Sequence, residues 1–184
     1  LNKIINENLF ENNNIKKIKI VANLPYYITT PIIMKLLEEK LNITSITVMI
    51  QKEVADRLIA VPGEKNAGAI TYSVYYYAEA KKVLDVENNS FIPEPSVTST
   101  VIKLNIRKQS PIQVIDEKLM FKIIKQAFMQ RRKTLVNALS NMDIFKSKEE
   151  IIRMLEDLNI NTKVRGEALT IEQYAQITNY KEKH

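Results

Sequence analysis

The stretch that most constrains this chain is a short apolar run that ends in Asn23-Leu24-Pro25-Tyr26 and leads at once to Thr30-Pro31. Ile18-Lys19-Ile20-Val21 has the length and β-branching of a buried strand. Thr30 as N-cap with Pro31 at the first helical position predicts a helix start, with Ile33, Leu36, Leu37 and Leu41 as its apolar face. Strand, loop and helix in so few residues predict an α/β unit. In open α/β sheets, ligands bind at the carboxyl ends of the strands. Asn23, Leu24, Pro25 and Tyr26 fall there.

The four residues suit one kind of chemistry. The exocyclic amine of adenine is a poor nucleophile, because its lone pair is delocalised into the ring. A methylating enzyme must accept hydrogen bonds from both N–H groups and draw the nitrogen toward tetrahedral geometry. Asn23 offers a side-chain carbonyl for one N–H, and the backbone carbonyl of Leu24 suits the other. Pro25 has a fixed φ and biases Leu24 toward extended backbone, which holds that carbonyl in place. Tyr26 supplies an aromatic face, and stacking of a base is worth about 1–3 kcal/mol. Acceptors placed in advance gain strength by it. The same residues also suit a plain turn after a strand, with two tyrosines as packing.

Composition narrows the choice. The 184 residues include no Cys, and the one His is His184, so thiolate chemistry, a histidine metal site and a Ser/His triad are excluded. No metal is expected. No apolar run has the length of a membrane span and no signal peptide opens the sequence, so no membrane partner and a cytoplasmic location are expected. The net charge is +6, and it is uneven: residues 1–106 carry 12 basic and 11 acidic side chains, residues 107–184 carry 15 and 10. A basic second half suits a polyanion such as nucleic acid, and equally a solvated Lys-rich surface.

Lys3–Asn6 reads as a possible strand and residues 11–17 as a polar loop. Residues 46–50 predict a second buried strand, and Val54, Leu58 and Val61 a short helix ended by Pro62-Gly63. Residues 69–78 fit helix and strand alike. Residues 81–86 and 99–106 predict strands, with the stiff two-proline loop Phe91-Ile92-Pro93-Glu94-Pro95-Ser96-Val97 between them. After Ser110-Pro111 the spacing turns helical: one apolar pattern runs over residues 116–139. Ser147 with Glu150 and Thr170 with Gln173 form capping boxes for two further helices. Two domains are expected, 1–109 and 110–184, the second all-helical. Arg131, Arg132 and Lys133, read as consecutive residues of a helix, fan over more than half of its circumference and are the candidate RNA-backbone contacts.

Asn23-Leu24-Pro25-Tyr26, Gln51-Lys52-Glu53-Val54-Ala55-Asp56-Arg57, Phe91-Ile92-Pro93-Glu94-Pro95-Ser96-Val97, the segment Phe128-Met129-Gln130-Arg131-Arg132-Lys133-Thr134-Leu135-Val136-Asn137-Ala138-Leu139 and Arg165-Gly166-Glu167 occur in this order. Together they resemble the KsgA-type ribosomal RNA adenine dimethyltransferases, over nearly the whole chain from Ile18. The resemblance implies the later part of a Rossmann-like methyltransferase sheet followed by a small helical domain. It implies S-adenosylmethionine as methyl donor. The implied substrate is small-subunit rRNA within the immature small ribosomal subunit, where two adjacent adenines near the 3′ end are each methylated twice at N6. It also implies that Tyr26 and Phe91 sandwich the flipped adenine, as an enzyme acting on a base requires.

Two departures from the pattern stand out. Thr98 occupies a position that is acidic in the family. The family's glycine-rich loop is also not in the sequence, whose only glycines are Gly63, Gly68 and Gly166. The family's aspartate near the cofactor adenine aligns near Asn8, which, with Asn23, is the candidate cofactor contact. The expectation is a chain that lacks the cofactor-binding part, is inactive alone, and self-associates through an apolar sheet edge. The alternatives are an Erm-type large-subunit rRNA methyltransferase, favoured less because of the Gln-Arg-Arg-Lys-Thr-Leu segment, and a non-catalytic rRNA-binding or ribosome-assembly module.

Overall fold

A computed structural model of the protein describes residues 17–39 and 41–183. The predicted strand at Lys3–Asn6, most of the loop after it, and Asn8 lie outside the described residues. The strands are β1 (Ile18–Asn23), β2 (Ile43–Gln51), β3 (Ala78–Val86) and β4 (Ser99–Ile106). The helices are α1 (Thr29–Glu38), α2 (Lys52–Ile59), α3 (Ala69–Tyr77), α4 (Glu117–Met129), α5 (Leu135–Leu139), α6 (Lys148–Asp157) and α7 (Ile171–Lys183). Short 3-10 turns span Tyr26–Ile28, Asn88–Ser90 and Gly166–Ala168.

The chain divides into two compact units. One holds the described residues up to Ile59 together with Tyr77–Lys108; the other holds Ala60–Tyr76 together with Gln109–His184. The sequence suggests a single boundary near residue 109. The division differs because the segment 60–76 packs with the later helices.

In the first unit the strands follow the order β1-β2-β4-β3. β1 and β2 are parallel, and β4 is antiparallel to both β2 and β3. One face of the sheet is closed: Ile46, Val48, Ile50, Ile102 and Leu104 are essentially inaccessible. α2 lies against β2, β3 and β4 and buries Ala55 and Leu58. Residues Asn23, Met49, Val101 and Leu84 follow one another across the four strands on the opposite face. There Leu84 and, on β1, Val21 are exposed among the described residues.

The start of α1 differs from the expected Thr30 cap. The 3-10 turn Tyr26–Ile28 runs straight into the helix, which begins at Thr29 with no side-chain cap. The Thr29 hydroxyl instead donates back to Pro25 O at 3.1 Å.

In the second unit Tyr72 of α3 is fully buried, edge-on to both Phe128 and Tyr174. Its hydroxyl donates to Leu169 O at 2.6 Å and accepts from Gly63 N at 3.2 Å. Gly63 has φ +92°, which the turn after Pro62 requires and a side chain would strain. Met120, Ile123, Ile124 and Ala127 of α4 form the buried stripe, joined by Leu135, Leu139, Ile151, Leu155, Ile171 and Ile177. Asp116 caps α4 by accepting from Leu119 N at 3.0 Å.

The expected continuous helix over 116–139 is two helices. α4 stops at Met129, with Gln130 at φ −116°, ψ 44°. Thr134 then caps α5 with its side chain. Arg131, Arg132 and Lys133 therefore lie on a turn, not on a helix. The two capping boxes differ in form. Thr170 and Gln173 bond reciprocally, at 3.0 and 3.3 Å. Ser147 accepts from Glu150 N at 3.3 Å, but the Glu150 carboxylate reaches Lys146 N, one residue farther back.

Candidate functional site

The strand register brings three separate motifs to one end of the sheet in the first unit. Asn23 is the last residue of β1 and pairs with Met49; Gln51, the last residue of β2, pairs with Ser99, the first of β4; Val86, the last of β3, also pairs with Ser99. The segment after Asn23, the segment from Gln51 into α2, and the connection 87–98 therefore emerge side by side.

Asn23 is exposed, and its side chain makes no hydrogen bond to any described residue. Leu24 N donates to Met49 O at 3.3 Å, which carries the β1–β2 ladder one residue past the strand. Pro25 has φ −57° and ψ 132°, and its carbonyl accepts from both Ile28 N and the Thr29 hydroxyl. Each turn residue is thus tied either to the sheet or to the start of α1. Tyr26 is half-buried. Its hydroxyl shares a hydrogen bond with Ser99 Oγ at 2.7 Å, which ties the ring to the first residue of β4. Ser99 was not legible as a site residue, because its pairing crosses 73 positions of sequence.

Phe91 is half-buried and outside any strand, and Ile92 beside it is fully exposed. Asn88, three residues earlier, has a buried side-chain oxygen with no partner among the described residues. Thr98 O accepts from Lys52 N at 3.0 Å, so the far end of this loop is fastened to the start of α2. Gln51, Lys52, Glu53, Asp56, Val97 and Thr98 line a shallow, open depression of about 380 Å³. Along α2, Lys52 pairs with Asp56 and Arg57 with Glu53.

The basic turn belongs to the second unit. Arg131, Arg132 and Lys133 are all exposed, but they differ in what they touch. The Arg131 guanidinium is ion-paired with Glu167 and donates to Lys65 O at 3.2 Å and Ala67 O at 3.4 Å. Arg132 and Lys133 have no side-chain partner among the described residues.

The cofactor implied by the resemblance needs a turn at a strand end where backbone approaches it closely, a task for glycine. The three glycines all lie in the second unit. No strand end of the first unit therefore carries a glycine for such a turn. Among the described residues, no group of three His, Cys, Asp or Glu is arranged to hold a metal. No described helix is long and apolar enough to cross a membrane.

Comparison with known proteins agrees with this geometry. The family model for ribosomal RNA adenine dimethylase matches residues 2–183. Ribosomal RNA small subunit methyltransferase A of Lachnoclostridium phytofermentans is 50% identical over 174 residues, covering 94% of this chain and 60% of that protein. The protein of the same name from Oceanobacillus iheyensis is 47% identical over 180 residues, with 96% and 60% covered. The chain thus spans about 60% of the length of these relatives. Among solved structures, a dimethyladenosine transferase from Plasmodium falciparum matches with a TM-score of 0.72 at 25% identity, over 96% of this chain and 76% of that one. The 23S rRNA methyltransferase ErmE matches with a TM-score of 0.65 at 18% identity, a likeness of fold alone, over 92% of this chain and 66% of that one. With the sheet order, the three loops at one sheet end and the family match all in agreement, the chain belongs to the ribosomal RNA adenine dimethylase family.

Proposed function

We propose that this chain is the acceptor-binding and RNA-binding part of an rRNA adenine N6,N6-dimethyltransferase acting on two adjacent adenines near the 3′ end of small-subunit rRNA. The observation that carries the reading is the Asn23–Tyr26 turn, pinned to the sheet through Leu24 and to β4 through Tyr26 and Ser99. Asn23 and the Leu24 carbonyl accept the two N–H groups of the target amine, and Tyr26 and Phe91 hold the base between their rings. Arg132 and Lys133 contact RNA phosphates. S-adenosylmethionine is the methyl donor of the whole protein, which works in the cytoplasm on the immature small subunit during ribosome assembly. The Erm-type alternative has only the distant fold likeness behind it. A non-catalytic rRNA-binding module would have no use for an exposed Asn beside an aromatic ring at a strand end.

Base capture is testable on this chain directly. A small-subunit rRNA hairpin carrying 2-aminopurine at a target adenine should change its fluorescence on binding, and Tyr26→Ala with Phe91→Ala should abolish the change while leaving binding measurable. An unaltered signal in the double variant overturns the sandwich. Transfer itself is tested by fusing the chain to the remaining segment of the Lachnoclostridium relative and following methylation of small-subunit particles. Among the described residues β1 has no neighbour on its outer side, and self-association through that edge is the expected cost. Sedimentation over a concentration series measures it.

A further inference from the structure

The contacts of Arg131 join three stretches of chain that are far apart in sequence. Its guanidinium bridges the carboxylate of Glu167 and the carbonyls of Lys65 and Ala67. Next to it, Leu135 N donates to Val164 O at 2.7 Å, which lays the segment before Glu167 along the start of α5. Three strips therefore meet here: residues 63–67, 130–135 and 164–168, all in the second unit. Each brings exposed cations. Lys65, Arg132, Lys133 and Arg165 are exposed, and none has a side-chain partner among the described residues. Glu167 is the carboxylate paired within this group, and Arg131 neutralises it.

Charge and geometry divide the work. A guanidinium with three acceptors in its fork is already occupied and is a poor phosphate contact, whereas four exposed cations with open donors are good ones. An uncompensated Glu167 would repel phosphate. Resting on the RNA-binding reading above, we propose that Lys65, Arg132, Lys133 and Arg165 form one surface for an RNA sugar–phosphate backbone. Arg131 is not part of that surface. It is a positioning residue that holds the Lys65 loop in place and cancels Glu167. Sequence spacing singles out Arg131 with its two neighbours but leaves Lys65 and Arg165 unassigned.

The salt dependence of RNA binding separates these roles, because each lost phosphate contact flattens the slope of log K against log salt by about 0.7–0.9. The full chain is titrated with a fluorescein-labelled rRNA hairpin between about 50 and 200 mM salt. Lys65→Gln, Arg132→Gln and Arg165→Gln should each flatten the slope by about that amount. These are exposed side chains, and circular dichroism checks that the fold is kept. Arg131→Gln with Glu167→Gln preserves the charge of the group but removes the clamp. It should flatten the slope as Lys65→Gln does, and adding Lys65→Gln to it should change nothing further. Arg132→Gln should still have its full effect in that background. Additive losses from Lys65 and the Arg131/Glu167 pair would show that Arg131 touches phosphate itself and overturn the positioning role. Unchanged slopes for Lys65→Gln and Arg165→Gln would overturn the surface. A wild-type chain with no salt-dependent binding would instead sink the RNA reading on which the proposal rests.

Discussion

Gly166 sits where the second unit leaves no room for a side chain. A Cβ there would stand 2.5 Å from Ala127 Cβ and 2.8 Å from the Tyr174 hydroxyl, which itself donates to Gly166 O at 2.9 Å. Gly166→Ala must push α4 away or break that bond, and is expected to cost about 1–3 kcal/mol in a denaturant melt. Tyr72 gives a pH signature. Burial pushes its hydroxyl up to about 12, the Glu167 charge adds to this, and the hydrogen bond from Gly63 N opposes it. A raised folded-state value means the stabilisation is complete below pH 10 and is lost as pH climbs toward 12. Tyr72→Phe should be less stable at neutral pH, with two backbone groups left unpaired, and its stability should fall less steeply across that alkaline window. At the sheet end, Tyr26→Phe keeps the ring but loses the Ser99 bond. A modest loss of base capture is expected, against a large one for Tyr26→Ala, in the 2-aminopurine assay. Single residues were readable in the sequence as candidates where type alone suggests the chemistry, as for Asn23 and Tyr26. They were not where the role depends on distant partners: Ser99 and the clamp formed by Arg131 are set by contacts that no local pattern encodes.

Helix caps and breaks carry the next layer. Thr134 ends the turn that follows α4 and begins α5, with its side chain accepting from Asn137 N. Thr134→Ala should cost about 1 kcal/mol, read as a lower melting temperature. It should also weaken RNA binding, because the turn that carries Arg132 and Lys133 loses its anchor. The break between α4 and α5 was hidden because apolar residues continue at helical spacing across it. α3 was ambiguous for another reason. Thr71, Tyr72, Ser73, Val74 and Tyr76 are all buried, so no polar face marks the helical period and β-branched and aromatic residues mimic a strand. The strands β2 and β4 and the helices α6 and α7 were legible, since one buried face and one polar face, or a capping box, signal each of them.

At the scale of the molecule, the chain passes between its two units at residues 59–60, 76–77 and 108–109. Composition shifts visibly only at the last of these, which is why the sequence suggests a single boundary. The whole chain should bind S-adenosylmethionine weakly, since no glycine turn lies in the first unit. Calorimetric titration tests this, and micromolar affinity would show that a cradle forms by another route. The segment 110–184 expressed alone should fail to fold cooperatively, because it would lack Tyr72, whose loss from a packed core is worth about 3–5 kcal/mol. A melt without a cooperative transition, beside a sharp one when 60–76 is supplied as a peptide, is the expected result.

That shared core has a consequence for how such proteins exchange parts. A recombination crossover near residue 109 joins the helices of one homologue to the Tyr72 segment of another. The donor's residues around Phe128, Leu169 and Tyr174 must then accept a foreign aromatic plug. Homologues whose 60–76 segments differ in side-chain volume should give insoluble hybrids at that crossover. A chimera that carries both stretches from one parent keeps the inherited fit.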